Sequence, residues 1–395
     1  MSNAAVMRSM HRGFAQEEFE HRVSRAQVLM SRQGIDALLL MTEAEVRYFS
    51  GFQTQFWHSP TRPWFLVLQL TGKPIAVVPD IGASVIARGY IDRVVSWQSP
   101  HPTDDGVGQL ATVLQEAAGK SGVIGVPMGA ESTIRMPLRD FDALRAGLSQ
   151  QFVDATPLIK ELRLIKSEAE IGKISRAAEI ASNAFDKASE LFYVEQPMVD
   201  AFRAFKIECL KQGADDIVYL AGGAGPGGYD DIISMPTTRP LATGDVLMLD
   251  TGVMFDGYFC DFDRNFCFGP PDESVVHAYA TLWEATQAGM AEARPGVRCQ
   301  EVFATMHNVI SRAGYHAGSG VGRYGHGLGM QLTEWPSMAT FDHTELVQNM
   351  VITLEPSLVM ANGRTMVHEE NVVVRKRGVE LLSRRASPEI ICLPG

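Results

Sequence analysis

The chain lacks the features that mark several large classes of protein. It contains no run of about 18 or more apolar residues, which argues against a transmembrane helix and a membrane partner. Its net charge is −11, from 35 Lys and Arg against 46 Asp and Glu. That balance argues against nucleic acid as a partner, because phosphate binding needs a surplus of cations. The first residues show no apolar core followed by a small-residue cleavage site, so they do not resemble a signal peptide.

Cysteine is also scarce. The five cysteines are an odd number, are scattered along the chain, and form no Cys-x-x-Cys pair. Neither a disulfide framework nor a thiolate zinc site is therefore expected, and the expected compartment is cytoplasmic.

The length of 395 residues predicts two domains at roughly 150 residues each. From 1 to 160, helical and strand patterns alternate, as in the amphipathic stretch 16–33 before the apolar run 37–41, which predicts an α/β domain. From 161 to 395 the pattern is helical up to about residue 213 and then changes to β-hairpins with intervening helices. The second domain is therefore predicted to be α+β.

One hairpin of the second domain brings two aspartates together. It is predicted from residues 245–251 and 258–268, with a turn at 254–257. Folding the chain about the midpoint between Phe255 and Asp256 places Asp250 opposite Asp261 on one face. Two such carboxylates repel each other, so a cation is expected between them.

A second hairpin brings two glutamates together. It is predicted from residues 350–360 and 365–375 around Asn362-Gly363, a strong hairpin signal. A two-residue turn there places Glu355 opposite Glu370 and directs the neighbouring Glu369 to the other face. A β-bulge would shift this register.

Between the two hairpins in sequence lies His326, flanked by Gly325 and Gly327, which allow close approach to packed groups. Four carboxylates and one imidazole suit a pair of divalent ions such as Mn, Fe, Co or Zn. The sequence therefore predicts a two-metal site formed by Asp250, Asp261, His326, Glu355 and Glu370.

These residues resemble a known family, the pita-bread metallopeptidases of family M24. The family includes prolidase, aminopeptidase P and methionine aminopeptidase, with creatinase as a metal-free relative. The resemblance covers nearly the whole chain and is most specific in five runs: Leu249-Asp250-Thr251-Gly252, Gly257-Tyr258-Phe259-Cys260-Asp261, Gly325-His326-Gly327-Leu328-Gly329, Leu354-Glu355-Pro356 and Glu370-Asn371.

The resemblance implies a pita-bread catalytic domain, an N-terminal α/β domain of the creatinase/prolidase type, two divalent ions with Mn expected first, and a homodimer. Asp261 and Glu370 would bridge the ions, Asp250 would complete one shell, and His326 and Glu355 the other. A hydroxide between the ions would attack the amide carbonyl, and Glu355 would carry the proton to the leaving nitrogen.

Several positions on the substrate side depart from the family pattern. Thr333 and Ile233 stand where prolidase-like enzymes carry histidines, and Asp263 stands where they carry a threonine. These residues and Glu334 are the candidate substrate contacts. In the first domain the loop 57–64, with Trp57 and Arg62, is a further candidate, because in relatives such a loop reaches the partner subunit's site.

The sequence leaves the substrate class open. Hydrolysis of an amide bond, as by Xaa-Pro dipeptidase or aminopeptidase P, fits the complete ligand set. A reaction on a small non-peptide metabolite, in the manner of creatinase, ectoine hydrolase or the dimethylsulfoniopropionate lyase of this fold, fits the altered residues. A non-catalytic binding module is expected to have lost ligands, and none is missing. The glycine-rich run 222–228 lacks the Lys-Ser/Thr of a phosphate loop and is predicted to border the substrate.

Overall fold

A computed structural model describes residues 12–59, 62–317 and 322–395. The chain divides into two compact units, Met1–Arg163 and Leu164–Gly395. No helix among the described residues is long and apolar enough to cross a membrane.

The first unit is built on a mixed sheet of six described strands in the order β4-β3-β2-β1-β5-β6. Strand β2 runs antiparallel to both of its neighbours, whereas the remaining pairs are parallel. The strands are β1 Ala37–Leu40, β2 Phe65–Gln69, β3 Ile75–Pro79, β4 Arg93–Trp97, β5 Val123–Val126 and β6 Gln151–Asp154. The helices are α1 Gln16–Gln33, α2 Glu43–Ser50, α3 Asp80–Ile86, α4 Val107–Ala118, α5 Leu138–Gly147 and α6 Thr156–Leu164, with a 3₁₀ turn at Gln55–His58.

The first helix of the second unit begins at a capping box, in which Ser167 accepts from the backbone of Glu170 and the Glu170 carboxylate accepts from the backbone of Ser167. The helices are α7 Glu168–Phe185, α8 Ala188–Leu191, α9 Met198–Lys211, α10 Glu273–Glu292 and α11 Cys299–Arg312. The strands are β7 Asp216–Pro226, β8 Asp245–Phe255, β9 Tyr258–Phe259, β10 Phe262–Phe268, β11 His316–Ala317, β12 His326–Gly327, β13 Glu334–Ser337, β14 Val351–Leu354, β15 Ser357–Val359, β16 Thr365–Val367, β17 Glu370–Arg375, β18 Gly378–Leu381 and β19 Ile391–Leu393.

Three sheets of the second unit position the residues of interest. Strands β19-β10-β8-β7 form one sheet, β11-β15-β16 a second and β13-β12-β14-β17-β18 a third. Both strands of the second predicted hairpin therefore change sheets half-way along their length: β15 and β16 belong to the second sheet, and β14 and β17 to the third. Helices α10 and α11 contribute buried residues, among them Leu282 and Met306, to the core that also contains residues of β14 and β17.

The register of the first hairpin differs from the prediction by two residues. Its turn consists of Asp256 and Gly257, with φ of 48° and 80°, so Phe255 pairs with Tyr258. Asp-Gly is a preferred pair for a two-residue hairpin turn, because both positions require positive φ. Asp250 consequently lies opposite Asp263 and not opposite Asp261, so that part of the prediction is wrong.

The register of the second hairpin differs by one residue. Met360 donates to Arg364 across a three-residue loop, and Gly363 has a φ of 80°. Leu354 therefore pairs with Glu370, and Glu355 faces Glu369. A shift of one residue reverses the face of every side chain in a strand.

A buried ion pair between α7 and the first hairpin yields a prediction about stability. Lys173 and Asp256 pair at 6% and 4% exposure. We expect Lys173→Met to lower the free energy of unfolding by about 3–5 kcal/mol, because the carboxylate stays buried without this cation. The double variant Lys173→Met/Asp256→Asn should lose less stability than the single variant, because it removes the buried charge as well. Urea unfolding followed by circular dichroism measures both, and a double variant that is less stable than the single one would contradict the expectation.

Candidate metal centre

Three candidate ligands lie where strands are interrupted. Asp261 lies between β9 and β10, Glu355 between β14 and β15, and Glu369 between β16 and β17. An interruption releases a side chain from the regular alternation of faces, so it can be directed sideways into a site. Asp250 lies within β8.

His326 is held in place by its flanking glycines and by one hydrogen bond. A Cβ atom on Gly325 would lie 2.2 Å from the Thr353 carbonyl oxygen, and one on Gly327 would lie 1.9 Å from that of Trp335. Only glycine fits these positions. The Nδ1 atom lies 2.9 Å from the Gly327 carbonyl oxygen and therefore carries the proton. In this tautomer Nε2 would be the nitrogen that binds a metal, and it lies 3.4 Å from Asp261 Oδ2.

The ligand atoms form two overlapping groups. Those of Asp261, His326 and Glu369 lie within 4.8 Å of one another, and so do those of Asp250, Glu355 and Glu369. Because Glu369 belongs to both groups, its carboxylate could contribute to two bound cations. We call Asp250, Asp261, His326, Glu355 and Glu369 the candidate metal centre.

The donor atoms fit divalent cations. Asp250 Oδ1, Asp261 Oδ1 and Glu369 Oε1 are buried, and none has a hydrogen-bond partner within the described ranges. A buried polar atom without a partner is costly, and a native structure normally satisfies it. Carboxylate oxygens with one imidazole are ligands that Mn, Fe, Co and Zn accept.

The electrostatics of the metal-free cluster point in the same direction. Burial raises the pKa of Asp261 and Glu369 well above their ordinary values, and the charges of the neighbouring carboxylates raise that of Glu369 further. Burial, followed by the charges of Asp261 and Glu355, also raises the pKa of Asp250. Burial raises the pKa of Glu355 to about 7, against the opposing charge of His326. Bound cations would return these groups to their ionised forms.

Glu370 was the wrong choice between the two neighbouring glutamates. Its carboxylate accepts from Arg264 at 3.0 Å, from the Ala386 backbone at 2.8 Å, and from Ser383. Burial alone would raise its pKa, but Arg264 and the hydrogen bonds hold it below the ordinary value. The carboxylate is therefore committed to a structural ion pair on the opposite face from the cluster.

Two predicted substrate contacts are also corrected. The Glu334 carboxylate is 2% exposed and pairs with Lys166 at 3.2 Å, so it does not face the cavity. Asp263 is 1% exposed and pairs directly with Asp250 across strands β10 and β8. Neither residue lines the cavity beside the cluster.

A cavity of about 490 Å³ opens onto the cluster. Asp250, Asp261, His326 and Glu355 line it, and so do Ile233 and Thr333, two of the predicted substrate contacts. Its walls also include Tyr219, Arg323 and Phe341, which the sequence analysis missed.

Tyr219 could have been recognised only from the strand pairing. It lies opposite Gly252, two residues from Asp250, and its side chain counteracts the effect of burial on the pKa of Asp250. The charge of Arg323 counteracts the effect of burial on the pKa of Asp261.

The predicted residues of the first unit are packed against their own surroundings. Trp57 is 8% exposed, and the Arg135 guanidinium lies 4.8 Å from its ring centroid. The Arg62 guanidinium lies 5.2 Å from the Phe56 ring. Residues 60 and 61 of this loop lie outside the described residues, and the proposed contact with substrate stays a prediction.

Comparison with known proteins identifies the family. Residues 172–376 match the sequence model of metallopeptidase family M24, and residues 22–165 match that of the creatinase/prolidase N-terminal domain. The chain belongs to metallopeptidase family M24. This membership confirms the predicted fold class and the predicted metal-dependent hydrolysis of amide bonds, and it implies divalent metal ions.

Individual relatives of this M24 chain agree with the assignment. It is 25% identical over 388 residues to a probable dipeptidase, PepE, of Mycobacterium tuberculosis, covering 97% of this chain and 99% of that protein. It is 28% identical over 250 residues to an Xaa-Pro dipeptidase of Pyrococcus horikoshii, covering 60% and 67%. The fold matches a crystal structure of a prolidase from Thermococcus sibiricus with a TM-score of 0.84, at 24% identity and coverage of 96% and 100%.

The two neighbouring glutamates offer a matched test of the corrected register. We expect Glu369→Gln to lose bound metal, because both groups of ligand atoms include Glu369. Glu370→Gln should retain metal but destabilise the fold by about 3 kcal/mol, because Arg264 loses its anionic partner. Elemental analysis after gel filtration measures the metal, and equal metal content in the two variants would count against the corrected register.

The raised pKa values predict how pH affects stability. In the metal-free protein, stability derived from the protonated carboxyls is complete below about pH 4.5 and is lost as the pH rises through about 7, the value for Glu355. The unfolding temperature of the metal-free protein should therefore fall between about pH 5 and 8. Metal stabilisation should increase over the same range, because ligands bind metal when ionised. Thermal unfolding with metal and with chelator measures the difference between the two unfolding temperatures. This difference should increase by about 2–4 °C for each kcal/mol of stabilisation by the metal. A temperature difference that does not depend on pH would contradict the expectation.

Proposed function

We propose that this M24 enzyme hydrolyses the amide bond of small peptides in the manner of an Xaa-Pro dipeptidase or aminopeptidase P. The observation that carries the proposal is the pair of ligand groups sharing Glu369 at the wall of a cavity of about 490 Å³. A cavity of this size accommodates a dipeptide, and pockets for small molecules commonly fall in this range.

Asp250, Asp261, His326, Glu355 and Glu369 would hold two divalent ions, and we propose manganese, with iron, cobalt and zinc as alternatives. A set with four carboxylates and one imidazole favours these ions over copper, which prefers more nitrogen ligands. When bound, such ions supply an activated water and polarise a carbonyl oxygen.

Glu355 is the proposed proton carrier. Its pKa of about 7 in the metal-free chain supports a carboxyl that exchanges a proton near neutral pH. It lines the cavity, so its carboxylate reaches the space where a leaving nitrogen would lie. The Nδ1–H group of His326 donates to the Gly327 carbonyl, so His326 would act as a ligand through Nε2.

Part of the cavity wall is apolar, which favours a substrate with an uncharged portion beside the candidate metal centre. Ile233 and Phe341 line the cavity and are 74% and 68% exposed. Large exposed apolar side chains often mark a surface that another molecule covers. We propose that the enzyme is a homodimer and that substrate and partner cover these side chains, with the Trp57 and Arg62 loop as the candidate contact from the partner.

A second function follows from Ile233 and Thr333, which line the cavity where the resemblance leads us to expect histidines. Neither side chain can donate a charged hydrogen bond to a peptide. Their presence favours a small non-peptide metabolite with a C–N or related bond as an alternative substrate, in the manner of creatinase or ectoine hydrolase.

The proposal is tested with Mn-reconstituted protein and a panel of Xaa-Pro and Xaa-non-Pro dipeptides. We expect turnover that is abolished by chelator and by Asp261→Ala, because Asp261 belongs to the ligand set. A preference for proline would establish the Xaa-Pro activity.

Glu370→Gln serves as the matched variant, since it alters an adjacent carboxylate outside the cluster. Absence of turnover on all dipeptides, with metal shown to be bound, would reject the peptidase assignment and favour the small-metabolite alternative.

A further inference from the structure

Asp263 is a buried carboxylate next to the candidate metal centre that the proposed reaction does not use. It lies directly opposite Asp250 in the antiparallel pair of β8 and β10. Opposed residues share a face, with Cβ atoms about 4.5–5.5 Å apart. Its side chain therefore projects from the same face of the sheet as that of Asp250, and at 1% exposure it is shielded from solvent.

One oxygen of Asp263 is held by a network of hydrogen bonds. Oδ2 accepts from the Asn265 amide at 2.8 Å. The same amide nitrogen donates to the Val367 carbonyl at 2.8 Å, and Asn265 Oδ1 accepts from the Tyr229 hydroxyl at 3.2 Å. The Asn265 amide donates in this contact, so Oδ2 is the acceptor.

The other oxygen has no such partner. Oδ1 of Asp263 is buried, and no described residue forms a hydrogen bond with it. Burial, followed by the charge of Asp250, raises the pKa of Asp263 well above its ordinary value, and bound divalent cations would favour its ionised form. The nearby cation Arg264 acts in the opposite direction to burial, but its guanidinium donates to the Glu370 carboxylate and to the backbone of Asp263, and not to Oδ1.

The four carboxylates of the candidate metal centre would offset the charge of two bound divalent ions, and an ionised Asp263 would add a fifth negative charge in the same buried region. Burying a charge without a counter-charge is strongly unfavourable. Asp263 does not line the cavity, so a substrate cation does not reach it.

We propose that Asp263 is a fifth carboxylate of the metal centre, whose charge strengthens the binding of the ion that Asp250 holds. The inference rests on the proposed two-metal function and deepens it, because it gives this chain a more negative metal centre than its ligands alone provide. The Asn265 amide is the positioning group. It holds Oδ2 of Asp263 in the hydrogen-bond network with Val367 and Tyr229, and so directs Oδ1 away from that network.

The test is Mn²⁺ binding by the full-length protein, measured by competition with a chelator and by electron paramagnetic resonance of the bound ion. Asp263→Asn removes the charge and keeps the size and an acceptor for Asn265. We expect the dissociation constant of one of the two ions to rise by about tenfold or more, as groups next to metal ligands typically produce. The spectrum of the bound Mn²⁺ should change with it.

Asp245→Asn is the matched control. Asp245 is fully buried on the same strand as Asp250, but its carboxylate pairs with Arg239 away from the cluster. This variant should bind Mn²⁺ with the dissociation constants and spectrum of the unmodified protein. Equal weakening in both variants would overturn the inference, since the effect would then come from the loss of any buried charge.

The remaining outcomes separate the inference from the proposed function. Two ions bound by Asp263→Asn with unchanged constants and spectrum would overturn the role of Asp263 and leave the metal-dependent function intact. Failure of the unmodified protein to bind Mn²⁺ at all would overturn both.

Discussion

The geometry of the metal centre depends on one side chain, Asn371, which joins the two hairpins that carry the ligands. Its Oδ1 accepts from the Asp261 backbone at 2.9 Å, and its Nδ2 donates to the Asp261 carbonyl. Asp261 lies at a gap between two strands and has no ladder partner of its own. The amide of Asn371 takes the place of that missing partner, so Asp261 and the adjacent Glu369 are fixed relative to each other.

The interrupted strands explain how a mostly regular fold can gather so many acids. In an unbroken hairpin, alternate residues point to opposite faces, and only one residue in two reaches the site. Breaks at Asp261, Glu355 and Glu369 direct each carboxylate inward, while the strands on either side keep their pairing. The lost backbone hydrogen bonds are replaced locally, as His368 donates from its backbone to Pro356 at 3.2 Å beside the break.

The sequence was sufficient to predict the kinds of ligand but not the register that selects them. The hydrophobic pattern located α1 at Gln16–Gln33 and, in the apolar run 37–41, β1 at Ala37–Leu40, because those signals are local. The choice of Glu370 failed because the chain at Asn362-Gly363 closes a loop of three residues and not the two-residue turn that this dipeptide favours, which shifts the strand pairing by one residue. The pairing of Glu334 with Lys166, across 168 residues, leaves no local pattern at all.

Burial of the acids also connects metal binding to folding. Asp250 and Asp261 come from one hairpin and Glu355 and Glu369 from another, so the complete ligand set exists only when the two hairpins pack together. The repulsion among these carboxylates opposes that packing, whereas the Asn371 amide and the core beneath α10 favour it. Cations that bind only the packed form add their binding free energy to the stability of the second unit. The residues that make the site reactive therefore make the metal-free fold less stable, and Asp263 increases that cost because it adds a carboxylate with an oxygen that no described residue satisfies.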